Sequence, residues 1–361
     1  MFQIGLLNGG YRIFALGKKA QQQNVNNVLF TFFSLLAGIT LIFWLILVLS
    51  GGKIIISNSL MFVSIVIGLL TLIMNWLVNV LIGKQLIRNI NQINLIAIIA
   101  SCILLPMIIT GGFVGAIVNL VVQPLLFIVI ALLKFKDLRP TAWNFDIKLV
   151  RYILSFGFIP FLAGIFNVLN LQIERWSIAN ILGTKALGEF YLVFLYTTLF
   201  ILIPTSLSNL FFPKAIFAYE NNDITTFAKL IKKHFFLLGG YLFFIVLFTV
   251  FVLQFFIDLL LPKYSNDVIY VYYFLPGLVA LVLCDPISII LNATVRLKLF
   301  LYAGGFGVIL NIILIYIVNS QGIFSLVYMS WIKTLINVTS LVMYFFYIVV
   351  KYNVIFKKIK C

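Results

Sequence analysis

The chain has 361 residues, 63% of them hydrophobic and 9% charged, with 25 Lys and Arg against 9 Asp and Glu for a formal net charge of +16. Soluble domains carry about a quarter charged residues, so a mean hydropathy of +1.18 excludes an ordinary soluble fold and places the chain in a bilayer. Apolar runs of about twenty residues fit spanning helices, whereas a membrane β-barrel needs segments of about ten residues that alternate apolar and polar.

In chain order, a short apolar segment at roughly 2–16 precedes ten full spans. These lie near 28–49, 59–82, 93–110, 113–133, 151–172, 187–209, 235–257, 268–292, 300–318 and 323–350, separated by turns rich in Gly, Asn, Lys and Pro. The expected fold is all-α, a polytopic membrane protein with two helical lobes around a central cavity. Residues 1–135 form the N-terminal lobe, which reads as lacking its first helix. The longest polar interval contains 136–150, a cytoplasmic amphipathic linker with Trp143, Phe145 and Ile147 set among Lys and Asp. Residues 151–350 form the C-terminal lobe and 351–361 a basic tail.

Basic residues orient the spans. One set of loops and ends holds 19 Lys and Arg, the other only Lys53, Lys185 and Lys263, and Arg12, Arg175 and Lys333 sit in or beside apolar runs. The positive-inside rule then puts the C-terminus in the cytoplasm, and the expected location is the plasma (inner) membrane. The net charge answers to anionic membrane lipid, without nucleic acid.

Cys102, Cys284 and Cys361 make no CxxC or disulfide framework, and there is a single histidine. With no P-loop and no HExxH, the sequence carries no signature of catalysis, metal or cofactor, and the expectation is a non-enzyme. Four spans instead carry polar stripes at helical spacing. They are Ser64, Gly68, Thr71, Asn75 and Asn79; Pro160, Gly164, Asn167, Asn170 and Glu174; Thr198, Thr205 and Asn209; and Ser330, Lys333, Asn337, Ser340 and Tyr344. Any one stripe reads as interhelical glue, and the four joined by a lysine read as a water-filled cavity.

Charges in apolar runs are the strongest functional pointers. Lys333 has no boundary near enough for easy snorkelling. Arg12 either snorkels or meets an anion at the inner mouth. Asp285, before Pro286, either bonds a helix kink or couples to a proton or a lysine. Arg175 snorkels at the outer edge, and Glu174 beside it belongs to the outer rim of the cavity. His234 reads as interfacial, and Asp258 and Lys263 as solvated.

The stretch LVRYILSFGFIPFLAGIFNVLNLQIERWSIANILGTKALGEFYLVFLY at 149–196 resembles the polysaccharide, or O-antigen, flippases of the multidrug/oligosaccharidyl-lipid/polysaccharide (MOP) exporter superfamily. The shared features are a basic amphipathic start, Gly157 with Pro160, the Glu174–Arg175 pair, the Leu182–Gly183 turn, and Gly188 with Tyr191. GLLNGGYRIFALGKK near the start, Pro213 in LSNLFFPKAI, Lys263–Tyr264 and the Asn311 span follow the same course. Two features depart from the pattern: Glu174 stands where Asp is commoner, and the first lobe is short of spans.

The resemblance implies a MOP/MATE-like fold and a translocator of polyprenyl-pyrophosphate-linked oligosaccharide from the cytoplasmic to the outer leaflet, serving O-antigen, capsule or exopolysaccharide synthesis by alternating access. Arg12, Lys333 and Arg175 would meet phosphate. Asn75, Asn79, Asn167 and Asn170 would meet sugar hydroxyls, with Asn337 and Glu174 beside them, and Asp285 would couple to a proton or sodium gradient. A polysaccharide polymerase and a chain-length regulator are the expected partners. Two alternatives stay open, a drug or cation antiporter of the same superfamily and a membrane-embedded glycan polymerase or ligase. The basic excess weighs against the first and the lack of a large outer loop against the second.

Overall fold

The computed structural model describes residues 19–49, 58–144 and 146–356; the segment at 2–16, with Arg12, lies outside them. The described residues form eleven α-helices: α1 (Lys19–Leu49), α2 (Asn58–Gly83), α3 (Ile87–Ile103), α4 (Pro106–Lys134), α5 (Ile147–Ile181), α6 (Thr184–Glu220), α7 (Ile224–Phe251), α8 (Leu253–Leu260), α9 (Val268–Ala293), α10 (Lys298–Ser320) and α11 (Leu326–Phe356). Two 3-10 turns, Lys136–Leu138 and Pro262–Asp267, connect them, and the described residues contain no strand. Nine helices among these residues are long and apolar enough to cross a membrane, so the chain is a multi-pass membrane protein. Helices are the economical solution in lipid, where each backbone N–H and C=O must be satisfied within its own segment.

Two compact units divide the chain, residues up to Phe158 and residues from Ile159 onward. The boundary falls inside α5, between Gly157 and Pro160, where a proline removes one rung of the helical hydrogen-bond ladder.

In the first unit the sequence boundaries shift at two places. The span expected at 93–110 is instead α3, 17 residues ending at Ile103. Pro106, lacking an N–H and disfavouring helix at the residue before it, opens α4 at its first turn. The second break is the expected one at Gly111–Gly112, where Gly112 has φ 53° and ψ −123°, a conformation that only glycine adopts readily. The short segment between the breaks folds against the next turn so closely that a Cβ on Gly115 would stand 1.9 Å from the Met107 carbonyl oxygen. Gly115→Ala is therefore expected to destabilise the first unit by about 1–3 kcal/mol, measured as a lower melting temperature in detergent.

The polar interval 135–146 is held against α1. Gln23 Nε2 donates to the Arg139 carbonyl at 3.2 Å and to Thr141 Oγ1 at 3.3 Å. Asn27 pairs with Thr141 in both directions, accepting from its backbone N–H at 3.0 Å. Thr31 accepts from the Asn144 N–H at 3.1 Å, Lys84 forms an ion pair with Asp137, and Phe30 packs edge-on to Trp143 at 5.2 Å.

In the second unit short turns make successive helices run antiparallel. α9 is the central one: 67% of its apolar window is buried, against at most 28% in the other spanning helices. Its Phe274 packs in one apolar core with Phe190 and Phe200 of α6, Leu238 of α7 and Met329 of α11. Hydrophobicity alone does not drive helices together in lipid, so small residues and hydrogen bonds set the closest approach. At Gly277 a Cβ would meet Thr334 Cα of α11 at 2.7 Å, and two bonds flank the contact, Thr334 Oγ1 to the Tyr273 carbonyl at 3.0 Å and Asn337 Nδ2 to the Gly277 carbonyl at 3.1 Å.

The span expected at 235–257 is drawn out at both ends. α7 begins at Ile224, so exposed Lys229, Lys232 and Lys233 stand on its first turns, and a break at Val252 separates α8. Asp223 caps α7, accepting from the Thr226 N–H at 3.0 Å and from Thr225 Oγ1 at 2.8 Å. These bonds, the Thr226 backbone bond foremost, hold the Asp223 carboxyl below the usual carboxylate range. A depressed carboxylate contributes stability above its ordinary pKa and loses it as pH falls through the lowered one. Asp223→Ala is therefore expected to lower the melting temperature at neutral pH and to narrow the difference from wild type in strong acid.

Candidate functional site

The second unit holds a cavity of about 530 Å³ whose polar wall is built from α5, α9 and α11. Asn167, Asn170, Glu174, Asp285, Lys333 and Asn337 all line it. Its centre is an ion pair, Lys333 Nζ to Glu174 Oε2 at 2.6 Å, with both side chains almost wholly buried. Lys333 also lies over two aromatic rings, Phe194 at 4.9 Å and Phe274 at 5.1 Å from their centroids. A buried ammonium is costly unless paired, and here a carboxylate and two ring faces replace water.

Sequence position explains the meeting. Glu174 lies seven residues before the end of α5, and Lys333 seven after the start of α11. The alternation of α5, α6, α7, α9, α10 and α11 brings those two ends to the same side. A rim glutamate and a central lysine, read apart in the sequence, are thus one pair about two turns in from those helix ends. Arg175 points elsewhere: it is exposed, and its guanidinium lies 5.0 Å from the Phe194 ring, which it shares with Lys333.

The asparagines divide by role. Asn170 Oδ1 accepts from buried Asn311 Nδ2 at 3.2 Å, and Asn337 is tied to the Gly277 carbonyl, so both amides also bind helices together. Asn167 is exposed on the cavity wall. In the first unit, Asn75 lines a separate groove of about 620 Å³ with Thr40, Ser64 and Thr71, whereas Asn79 is outside that wall and donates to the Asn75 carbonyl at 2.8 Å. Most hydroxyls of the polar stripes, among them Ser64, Thr71, Thr205 and Ser340, donate to the carbonyl four residues back. That local bond satisfies a hydroxyl without water, so the amides and charges, and not these hydroxyls, define the polar wall of the cavity.

Asp285 reaches the cavity from α9 and accepts from Ser208 of α6. Behind it stands His234, which is fully buried, stacked on Phe211 at 5.0 Å, and 3.5 Å from Asp285 Oδ2. His234, read from sequence as interfacial, is thus enclosed by protein, on an α7 that starts about ten residues earlier than the apolar run. Phe194, Phe274, Ser208 and Asn311 are further members that sequence reasoning missed. Aromatic residues are so frequent here that no pattern singles out the two that flank the lysine. Among the described residues no group of three or more His, Cys, Asp or Glu is placed to hold a metal ion.

Comparison of the sequence with protein-family models and with curated proteins gives no match. Solved structures do match in shape. A MATE transporter in the bent conformation superposes with a TM-score of 0.80 at 14% identity, covering 100% of this chain and 86% of that one. A point mutant of the Vibrio cholerae MATE transporter VcmN gives 0.76 at 15% identity over 97% and 85%. A MOP superfamily transporter from Pyrococcus furiosus, described as having a binding pocket of reverse polarity, gives 0.70 at 14% identity over 98% and 85%. With helices in this order and agreement along nearly the whole length, the chain has the fold of the MATE transporters of the MOP superfamily.

Proposed function

We propose that the protein carries polyprenyl-pyrophosphate-linked oligosaccharide from the cytoplasmic to the outer leaflet by alternating access, for surface polysaccharide synthesis. The observation that supports this reading is the buried Lys333–Glu174 pair inside an asparagine-lined cavity. The lysine is a seat for an anion, and in the absence of substrate Glu174 occupies it. A pyrophosphate oxygen entering the cavity takes the place of the Glu174 carboxylate, and Asn167, with the amides of Asn170 and Asn337, meets glycan hydroxyls. Asn75 offers a second amide surface in the first unit, and the lipid tail stays in the bilayer. Arg12 and Arg175 supplement the basic character at the two membrane faces. The split of basic residues favours a cytoplasmic C-terminus, with anionic lipid along that face and polymerase and chain-length regulator as partners in the same membrane.

A second reading, a drug or cation antiporter, has its own supporting observation. Lys333 and Glu174 cancel, so Asp285 leaves the described charges of the cavity at a formal −1, which suits a cation. Deleting the gene separates the two. The flippase reading expects lipid-linked glycan to accumulate on the cytoplasmic leaflet; normal surface glycan in a strain without a redundant flippase, together with raised drug sensitivity, would favour the antiporter.

A further inference from the structure

Two amides of the cavity wall have a fixed hydrogen-bond polarity. An asparagine side chain carries an oxygen that accepts and an NH2 that donates, and which of them meets a ligand depends on how the other is held. Asn337 Nδ2 donates to the Gly277 carbonyl of α9 at 3.1 Å. Only the NH2 can meet a carbonyl oxygen, so Asn337 keeps Oδ1, an acceptor, for the cavity it lines. Asn170 is held the opposite way. Asn311 Nδ2 of α10 reaches the Asn170 backbone carbonyl at 3.5 Å and Asn170 Oδ1 at 3.2 Å. The backbone oxygen fixes the Asn311 NH2, so the Asn170 atom that meets it is the oxygen, and Asn170 keeps Nδ2, a donor, for the cavity.

Asn311 shows that this orientation comes at a cost. It is fully buried, and its Oδ1 has no hydrogen-bond partner among the described residues. An unpaired buried amide oxygen is destabilising, whereas an apolar side chain of similar size would leave no polar atom unpaired. What the asparagine secures in return is the direction of the Asn170 amide. The two amides come together over a glycine. A Cβ on Gly307 of α10 would lie 3.5 Å from Asn170 Nδ2 and 3.4 Å from Ile336, the residue before Asn337. Ala303 and Gly304 belong to the same wall, so from Ala303 to Gly307 α10 offers the cavity nothing longer than a methyl group.

We propose that the cavity holds a subsite for an acetamido group, so that the glycan of the transport proposed above, on which this inference rests, carries an N-acetylamino sugar. The planar amide of such a sugar has a carbonyl oxygen on one edge and an N–H on the other. The carbonyl accepts from Asn170 Nδ2, the N–H donates to Asn337 Oδ1, and the methyl group lies against the small residues of α10. A sugar hydroxyl rotates to donate or accept as its partner requires, so a site for hydroxyls alone needs no fixed polarity. An amide needs both. Asn311, which touches no ligand, is a positioning residue for Asn170.

Two probes that differ at one sugar position test the subsite: a short-chain prenyl pyrophosphate bearing N-acetylglucosamine, and the same lipid bearing glucose. Titrated calorimetrically into the full-length protein in detergent, the first is expected to bind at least about tenfold more tightly, because a single hydroxyl leaves one of the two amides unpaired. Asn170→Asp keeps an oxygen for Asn311 and turns the donor into a second acceptor, so the preference should vanish whatever happens to the affinity of both probes. Asn311→Leu frees Asn170 to turn and should weaken the preference while the melting temperature holds; an intact preference there overturns the role given to Asn311. Equal binding of the two lipids by the wild type, or a preference that survives Asn170→Asp, overturns the subsite. Should neither lipid bind, the transport reading fails, and free N-acetylglucosamine against free glucose then decides the subsite: tighter binding of the acetamido sugar upholds it, and an equal response to the two overturns it as well.

Discussion

Lys333→Ala is expected to reduce export of surface glycan by at least about 100-fold, a loss of roughly 3 kcal/mol, while protein still reaches the membrane. The substitution removes the anion seat and leaves Glu174 buried without its counterion. Removing one member of a buried pair typically costs about 3–5 kcal/mol, so loss of stability must be separated from loss of transport. The double substitution Lys333→Met with Glu174→Leu does this: replacing both charges by apolar groups of similar volume restores most of the stability, and export should remain absent. Lys333→Arg keeps the charge on a wider head and should retain part of the activity. If the double variant exports at the wild-type rate, the pair is only a structural clamp. Glycan in the outer leaflet and melting temperature in detergent, measured on wild type and all three variants, decide the matter.

Gly277→Ala is expected to be nearly as damaging, by a different route. A methyl group there would stand 2.7 Å from Thr334 Cα and 2.8 Å from the Phe274 ring. The ring can turn, but the α11 backbone cannot yield without moving the helix. Overpacking of this kind costs about 1–3 kcal/mol, and it acts next to the site. Lys333 precedes Thr334, and Phe274 is one of its two ring partners. The expected result is a lower melting temperature together with weakened export. Thr334→Ala, which removes a hydroxyl bonded to the Tyr273 carbonyl and adds no bulk, should cost only about 1 kcal/mol. A Gly277→Ala protein as stable as wild type would show that α9 and α11 do not depend on this approach.

Helix periodicity and hydropathy carried most of the fold. Spans that end in Gly, Asn and Lys turns were legible because lipid tolerates few other patterns. The boundaries that moved did so for local reasons: Pro106 cut α3 short, and a cap at Asp223 let α7 start among lysines that hydropathy alone assigns to a loop. For the site, an intramembrane lysine and a glutamate at a helix end were conspicuous because charge is rare in apolar runs. Their pairing was not legible, since it depends on which helix ends share a side. The burial of His234, read from sequence as interfacial, was not legible because it follows from the extension of α7 and from Phe211 stacking on it, and neither leaves a mark in local sequence.

The bonds between α1 and the interval 135–146 bear on where foreign peptide can be placed. That interval looks like the natural spot for an epitope, yet its backbone and side chains are held by Gln23, Asn27 and Thr31. An insertion there breaks several hydrogen bonds at once. The turn after α6, with exposed Asn221, Asn222 and Asp223, is a better host because its bonds are local: the three N–H groups donate to carbonyls at the end of α6, and Asp223, which caps α7, can be kept by inserting before it. Tolerance of insertion follows the bonding of the affected backbone more closely than its polarity. An accessibility reporter placed at 221–222 therefore reads the sidedness of the second unit without disturbing the first.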